Sequence, residues 1–283
     1  MKGKHVAITG PTAGIGRYTC IELAQRGADL TLFCRNREKA DAVQQEISDA
    51  VGSPATVIIM DMADLGSVRA AAETFLAMNK PLDVLLNNAG VVNLSRQETV
   101  DGFEETLAVN HFAPFLLTGM LLPCLLQAPS GRIVNVASDA HAFVKSMGFD
   151  DMQAREGYKT FREYGRSKLA NILFTRSLAT RLAEHSITVN CLHPGAVSTS
   201  LGTQNGGFLS TVLPRLLKPF FSTPEQGAAT SLYLCCSEEV AQTSGAYFAK
   251  SKEIKAKACG RDDAAAQRLW DYTEETIGFK YDI

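Results

Sequence analysis

Seven short apolar runs recur along this chain, at residues 6–9, 30–34, 57–60, 84–86, 133–136, 188–192 and 246–249, with helical patterns between them. This alternation constrains the fold more than any other feature of the sequence. A strand that is apolar on both faces must be covered on both faces, and strands joined through helices run parallel. The expectation is an α/β unit spanning residues 1–283, with seven strands in a mostly parallel, doubly wound sheet and helices on either side. A ligand would lie across the carboxyl ends of the strands. At 283 residues and 46% hydrophobic content the chain can bury a substantial core. It shows no internal repeat, low-complexity tract or linker.

The first run leads into Thr9-Gly10-Pro11-Thr12-Ala13-Gly14-Ile15-Gly16, and a helical pattern follows. Strand, glycine-rich turn and helix N-terminus together make a phosphate cradle. Backbone N–H groups converge there, the helix dipole favours an anion, and glycines let a pyrophosphate approach. The spacing is Gly-x3-Gly-x-Gly; an ordinary glycine-rich turn is the plain alternative. The second run ends in Cys34-Arg35-Asn36-Arg37. An acid at that place would take the ribose diol of NAD, whereas an arginine accommodates the 2′-phosphate of NADP. Glu38 follows the strand end and Asp29 sits at its far end, so Arg35, with Arg37 beside it, points to NADP(H), with NAD(H) second. The alternative is that both arginines solvate a loop.

Tyr164 and Lys168 lie four apart, on one helix face. A phenol titrates near pH 10, and a neighbouring ammonium favours the phenolate, so the pair suits proton exchange with an alcohol or carbonyl oxygen. A Tyr and a Lys at this spacing on an ordinary half-exposed face is the bland reading. What reverses it is order along the chain: Thr9–Gly16, then Asn87-Asn88-Ala89-Gly90, Asn110, Ser138, and Tyr164 with Lys168. In that order, over about residues 4–250, the chain resembles the short-chain dehydrogenase/reductase family. The stretch from Tyr164 to Asn171 and the run His193-Pro194-Gly195 resemble its branch of retinol dehydrogenases and NADP-linked carbonyl reductases.

The resemblance implies a Rossmann-type fold and a set of roles. Tyr164 would give or take the proton, and Lys168 would lower its pKa and bind the nicotinamide ribose. Ser138 would hydrogen-bond the substrate oxygen, and Asn110 would hold a water of the relay. Gly10, Thr12, Gly14, Ile15 and Gly16 would cradle the pyrophosphate. Asp61 and Met62 would sit at the adenine; Asn88, Ala89 and Gly90 would shape the cofactor floor; Pro194, Gly195, Val197 and Thr199 would reach the nicotinamide end. Plainer roles stand beside three of these: Asp61 as a helix cap, Asn88 as a bridge between strands, Ser138 as a turn residue. The expected reaction is NADP(H)-dependent hydride transfer between nicotinamide and an alcohol or carbonyl, with an apolar substrate of retinoid, steroid or aldehyde type. The rivals are a reductase of a polar ketone, such as a polyketide or sugar intermediate, and a non-catalytic NADP(H)-sensing scaffold.

A net charge of −2 and a pI near 6.2 suggest no nucleic-acid partner. The seven cysteines are scattered, with no C-x2-C pair for a metal, and read as reduced core thiols of a cytoplasmic protein. Cys34, beside the expected phosphate site, is included in that reading. The first strand begins within a few residues of Met1, so no leader or spanning anchor is expected. The apolar stretch 112–127 contains Pro114 and Pro123 and reads as a core helix. A homodimer, a homotetramer and peripheral membrane contact are left open.

Two segments lie outside the shared frame. One is an excursion over residues 139–163, with His141, Phe143, Phe149, Tyr158 and Phe161. The other, 202–223, has apolar residues at helical spacing after Gly206-Gly207 and reads as a lid, an oligomer contact or a membrane-surface patch. His141 and His193 read as structural, because Tyr164 already supplies the proton. The tail, with Trp270, Tyr272, Phe279 and Tyr281, is expected to pack on this domain or a neighbouring subunit.

Overall fold

The computed structural model describes residues 1–195 and 223–283. Its strands are β1 (His5–Thr9), β2 (Asp29–Cys34), β3 (Thr56–Ile59), β4 (Val84–Asn87), β5 (Gly131–Val136), β6 (Ile187–His193), β7 (Tyr247–Ala249) and β8 (Lys252–Ile254). Its main helices are α1 (Gly14–Gln25), α2 (Arg37–Val51), α3 (Leu65–Leu76), α4 (Glu105–Leu126), α5 (Thr160–Arg181), α6 (Pro224–Cys236) and α7 (Asp263–Ile277). The strands form one sheet in the order β3-β2-β1-β4-β5-β6-β7-β8. The first seven run parallel and β8 is antiparallel to β7. The expectation of seven strands therefore falls one short. The extra strand is three exposed residues, turned back by Lys250 and Ser251 at φ +51° and +56°. A tight hairpin needs positive φ at both turn positions, usually from Asn-Gly, and Lys-Ser carries no such signal.

Successive strand residues point to opposite faces. Ala7, Phe33, Ile58, Leu85, Ile133 and Val189 join α3, α4, α5 and α7 in one core. Val6, Ile8, Leu32, Leu86, Val134 and Leu192 join α1, α2 and α6 in the other. Chain direction across the sheet reverses between β1 and β4, which opens a crevice at their carboxyl ends. Helix α4 is long and apolar enough to cross a bilayer by length alone, but 78% of its most apolar stretch is buried inside the molecule. It is a core helix, as expected. The tail also packs on this chain: Trp270 meets Phe115 edge-on at 4.9 Å, Tyr281 donates to the Phe115 carbonyl at 2.7 Å, and Phe279 fills the space beside Gly119.

Within α4 the turn Ala108–Phe112 is a π-turn. Such widened turns are kept mainly at functional sites. It buries His111 against Phe115 and Phe174 and places Asn110 toward the crevice. His111 bonds Thr273 through Nε2 at 2.9 Å, while Nδ1 has no hydrogen-bond partner among the described residues. Burial pushes its pKa down to about 3, so it stays neutral in the fold. The unfolded imidazole takes a proton near pH 6.5, so stability contributed by neutral His111 is lost as pH falls from 6.5 towards 3. His111→Phe removes this term, and Thr273 keeps its bond to the Leu269 carbonyl. Urea unfolding midpoints measured at neutral pH and near pH 4 are expected to fall less in the variant; equal falls would contradict the assignment.

Candidate active site

The crevice is built from strand ends. After β1, Gly10 (φ +67°) and Gly14 (φ +52°) take a conformation that side chains resist. At Gly16 there is no room at all: a Cβ would lie 2.1 Å from the Gly10 carbonyl oxygen and 2.5 Å from Asn88 Nδ2. Ile15 is buried under the turn. Helix α1 begins at Ala13 with no side-chain cap, so its first N–H groups are free to meet an anion. Glycine turn and uncapped helix end together fit the pyrophosphate of a dinucleotide, with Thr12 on the same turn.

The floor is held by a residue the sequence reading passed over. Thr9 Oγ1 accepts from the N–H groups of Asn88 (3.0 Å) and Ala89 (2.9 Å). In return Asn88 Nδ2 donates to the carbonyls of Thr9 (2.9 Å) and Gly10 (3.1 Å). Asn88 is thus the bridge between strand ends that the plainer reading named, and it sets the height of the cradle. One loop further on, Gly90 leaves space that a side chain would take up, for a Cβ would come within 3.1 Å of Asn110 Oδ1 and 3.3 Å of Lys168 Nζ.

At the end of β2, Arg35 is exposed and its Nη1 lies 3.7 Å from Asp61 Oδ2, a loose pairing. Arg37 instead pairs with Asp41 one turn along α2, at 2.9 Å. Arg35 is therefore the freer of the two to meet a phosphate. Asp61 also accepts from the Ala63 N–H at 3.0 Å, whereas Asp64 caps α3. Met62, beside Asp61, has its side chain buried in the core. Cys34 is buried, and burial pushes its thiol up to about 11, in keeping with an unreactive core group.

Ser138 follows β5, and Tyr164 and Lys168 lie on α5 beside it. Lys168 is 3% exposed and donates at 3.0 Å to the Val136 carbonyl, which also receives Asn171 Nδ2 at 3.3 Å. An ammonium has three donors, and among the described residues the Val136 carbonyl is its one hydrogen-bond acceptor. Burial lowers the Lys168 pKa to about 8, so it remains mostly charged at neutral pH. Its Nζ stands 5.7 Å from the centre of the Tyr164 ring. The expected lowering of the Tyr164 pKa by this charge is not seen in the chain by itself. Burial of the phenol raises it, and what opposes the rise is a hydrogen bond with Ser138. The Asn110 side chain makes three hydrogen bonds: Oδ1 accepts from the Val91 N–H (2.8 Å), while Nδ2 donates to the Val91 carbonyl (2.9 Å) and Ser167 Oγ (2.9 Å). Ser167 in turn donates to the Tyr164 carbonyl at 2.8 Å. The signal for Ser167 was its place inside the Tyr164–Lys168 motif, and that for Thr9 its place at the head of the Thr9–Gly16 motif.

His141 and His193 hold loops. The first contacts the Ser138 carbonyl at 2.8 Å and receives the Lys257 N–H at 3.2 Å; the second receives the Asp139 N–H at 3.1 Å. Pro194 and Gly195 (φ +89°) end β6 at the same crevice edge. Val197, Thr199 and the segment 202–222 lie outside the described residues.

Comparison with known proteins agrees with this geometry. The family model described as short chain dehydrogenase matches residues 4–207. Retinol dehydrogenase 12 of Mus musculus is 41% identical over 281 residues, covering 99% of this chain and 88% of that protein. Retinol dehydrogenase 14 of Homo sapiens is 40% identical over 300 aligned positions, with 98% and 87% covered. Among solved structures, an uncharacterised protein from Mycobacterium paratuberculosis superposes with a TM-score of 0.80 at 28% identity, covering 100% of this chain and 96% of that one. A short chain dehydrogenase from Shigella flexneri, solved in complex with NADP, shares the fold at a TM-score of 0.70 and 23% identity, covering 89% and 98%. With a family match over most of its length and relatives above 30% identity along nearly all of it, the chain belongs to the short-chain dehydrogenase family.

Proposed function

We propose that this oxidoreductase is NADP(H)-dependent and interconverts an apolar alcohol with its carbonyl compound, of retinoid, steroid or aldehyde type. The observation that carries the reading is the meeting of Ser138, Tyr164 and the buried, under-satisfied Lys168 beside the glycine cradle. A bound nicotinamide would supply or accept the hydride at the substrate carbon.

The chain's own residues do the rest. The turn from Gly10 to Gly16 and the α1 N-terminus hold the pyrophosphate, and Arg35 meets the 2′-phosphate. Ser138 and the Tyr164 hydroxyl converge on one oxygen, which orients it and exchanges the proton. The two spare donors of Lys168 suit the ribose hydroxyls, and its charge favours the phenolate as Tyr164 loses its proton. Asn110, through Val91 and Ser167, keeps the β4 loop and α5 at a fixed separation. An apolar substrate is supported by the relatives named for retinol and by the exposed rings of Phe143 and Phe161 near Tyr164.

The test is NADPH oxidation by the purified chain against retinal, steroid ketones, aliphatic aldehydes, quinones and polar ketones. Apolar carbonyls are expected to exceed polar ones in kcat/KM by about tenfold or more. No turnover of any carbonyl, or a preference for polar ketones, would contradict the proposal.

A further inference from the structure

The middle of the excursion between Ser138 and Tyr164 is fastened by the side chain of Arg166. We propose that Arg166 is a positioning residue, whose buried guanidinium fastens residues 147–152 to the catalytic helix and so sets the wall that meets a bulky substrate. This rests on the reading of Ser138 and Tyr164 as the pair that meets the reacting oxygen.

Arg166 is 6% exposed and Glu163 4%. Arg166 Nη1 donates to Glu163 Oε2 at 2.7 Å, Nε to the Met147 carbonyl at 2.6 Å, and Nη2 to the carbonyls of Gly148 and Asp151, each at 2.8 Å. Arg162 meets the other Glu163 oxygen. Glu163, the last residue of the excursion, already lies on α5; the three carbonyl acceptors belong to the loop that precedes the helix. Gly148 takes φ +61°, a conformation that a side chain resists, and a Cβ there would meet Arg166 Cζ at an ordinary contact distance of 3.5 Å. Arg166 is two positions from Tyr164 along α5, which puts them roughly on opposite sides of the helix. Arg166 therefore acts on the loop and not on the reacting oxygen.

The loop it holds reaches the site. A Cβ on Gly165 would lie 2.8 Å from the Ala140 carbonyl and 3.6 Å from Phe143 Cβ, so the start of the excursion rests on α5 directly beside Tyr164. Phe143 and Phe161, 64% and 72% exposed, meet edge-on at 6.2 Å and form an apolar lip there. The far end is anchored as well. Gln153 Oε1 receives the Glu104 N–H at 2.8 Å, and Tyr158 donates to the Asn93 carbonyl at 3.1 Å. Glu104 caps the start of α4, which carries Asn110. The excursion thus spans the two helices that bear the site, with Arg166 as its central clamp. A planar fork serves four acceptors in fixed directions; a lysine ammonium offers three donors from one point.

The experiment compares wild type, Arg166→Lys and Gly148→Ala by hydrogen exchange of residues 144–156 and by KM and kcat for one bulky apolar and one small carbonyl. In Arg166→Lys, exchange in this stretch should quicken about tenfold or more. KM for the bulky substrate should rise about tenfold, while kcat, KM for the small substrate and KM for NADPH stay within about threefold. Gly148→Ala leaves the ion pair intact and should shift the same quantities in the same direction, so it decides the matter if Arg166→Lys does not fold. Unchanged exchange, or a fall in kcat without a rise in bulky-substrate KM, would overturn the inference. If wild type reduces no carbonyl, the proposed function fails on its own, and the exchange comparison still judges Arg166.

Discussion

Tyr164→Phe is expected to lower kcat by roughly 10²–10⁴-fold, the usual contribution of a positioned acid–base group. The variant loses one oxygen and keeps the ring, so packing on α5 should hold. Lys168 remains buried against the Val136 carbonyl, since that bond does not involve the phenol. The effect should therefore fall on the chemical step, not on cofactor capture. The pH dependence follows from the same geometry. In the chain by itself burial raises the phenol's pKa, and burial lowers that of Lys168 to about 8. Alcohol oxidation needs the phenolate and should rise with pH; carbonyl reduction needs the phenol and should not require high pH. Steady-state rates in both directions across pH check this.

Arg35→Asp is expected to reverse cofactor preference. A charge-assisted hydrogen bond is worth about 1.5–3 kcal/mol, which would favour NADPH by roughly ten- to a hundredfold. Arg35 is exposed, so the lower end applies after solvent screening. Its pairing with Asp61 at 3.7 Å is loose enough to yield to a phosphate. In the variant two carboxylates would stand side by side at the end of β2, repelling a 2′-phosphate and offering acceptors to a free ribose diol. The ratio of kcat/KM for NADPH over NADH should fall from about ten or more to about one or less. A wild type that favours NADH, or an unchanged ratio in the variant, would show that Arg35 only solvates its loop.

The frame was legible because burial on both faces leaves near-continuous apolar strands, and turn glycines mark where the backbone must approach a ligand. All seven apolar runs became strands, and the sheet order puts the carboxyl ends of β1, β4 and β5, followed by Gly10, Asn88 and Ser138, side by side. What was not legible depends on contacts between distant residues. The Lys250-Ser251 hairpin carries no turn signature. The π-turn at Asn110 carries no residue pattern that distinguishes it from an ordinary helical turn. Met62 is adjacent to Asp61 in sequence, yet its side chain turns into the core. Arg166 drew no role from the sequence, because the loop carbonyls it serves lie 15 to 19 residues away. The effect of burial on Tyr164 was likewise hidden, since spacing reveals a neighbouring charge but not the loss of water around the phenol.

The most direct test of the account is to titrate NADPH into wild type and Tyr164→Phe and to measure turnover of the best carbonyl substrate on the same samples. The account predicts dissociation constants within about threefold of each other and a loss of turnover of at least roughly a hundredfold. Near-wild-type turnover in the variant, or a loss of NADPH binding as large as the loss of rate, would contradict it.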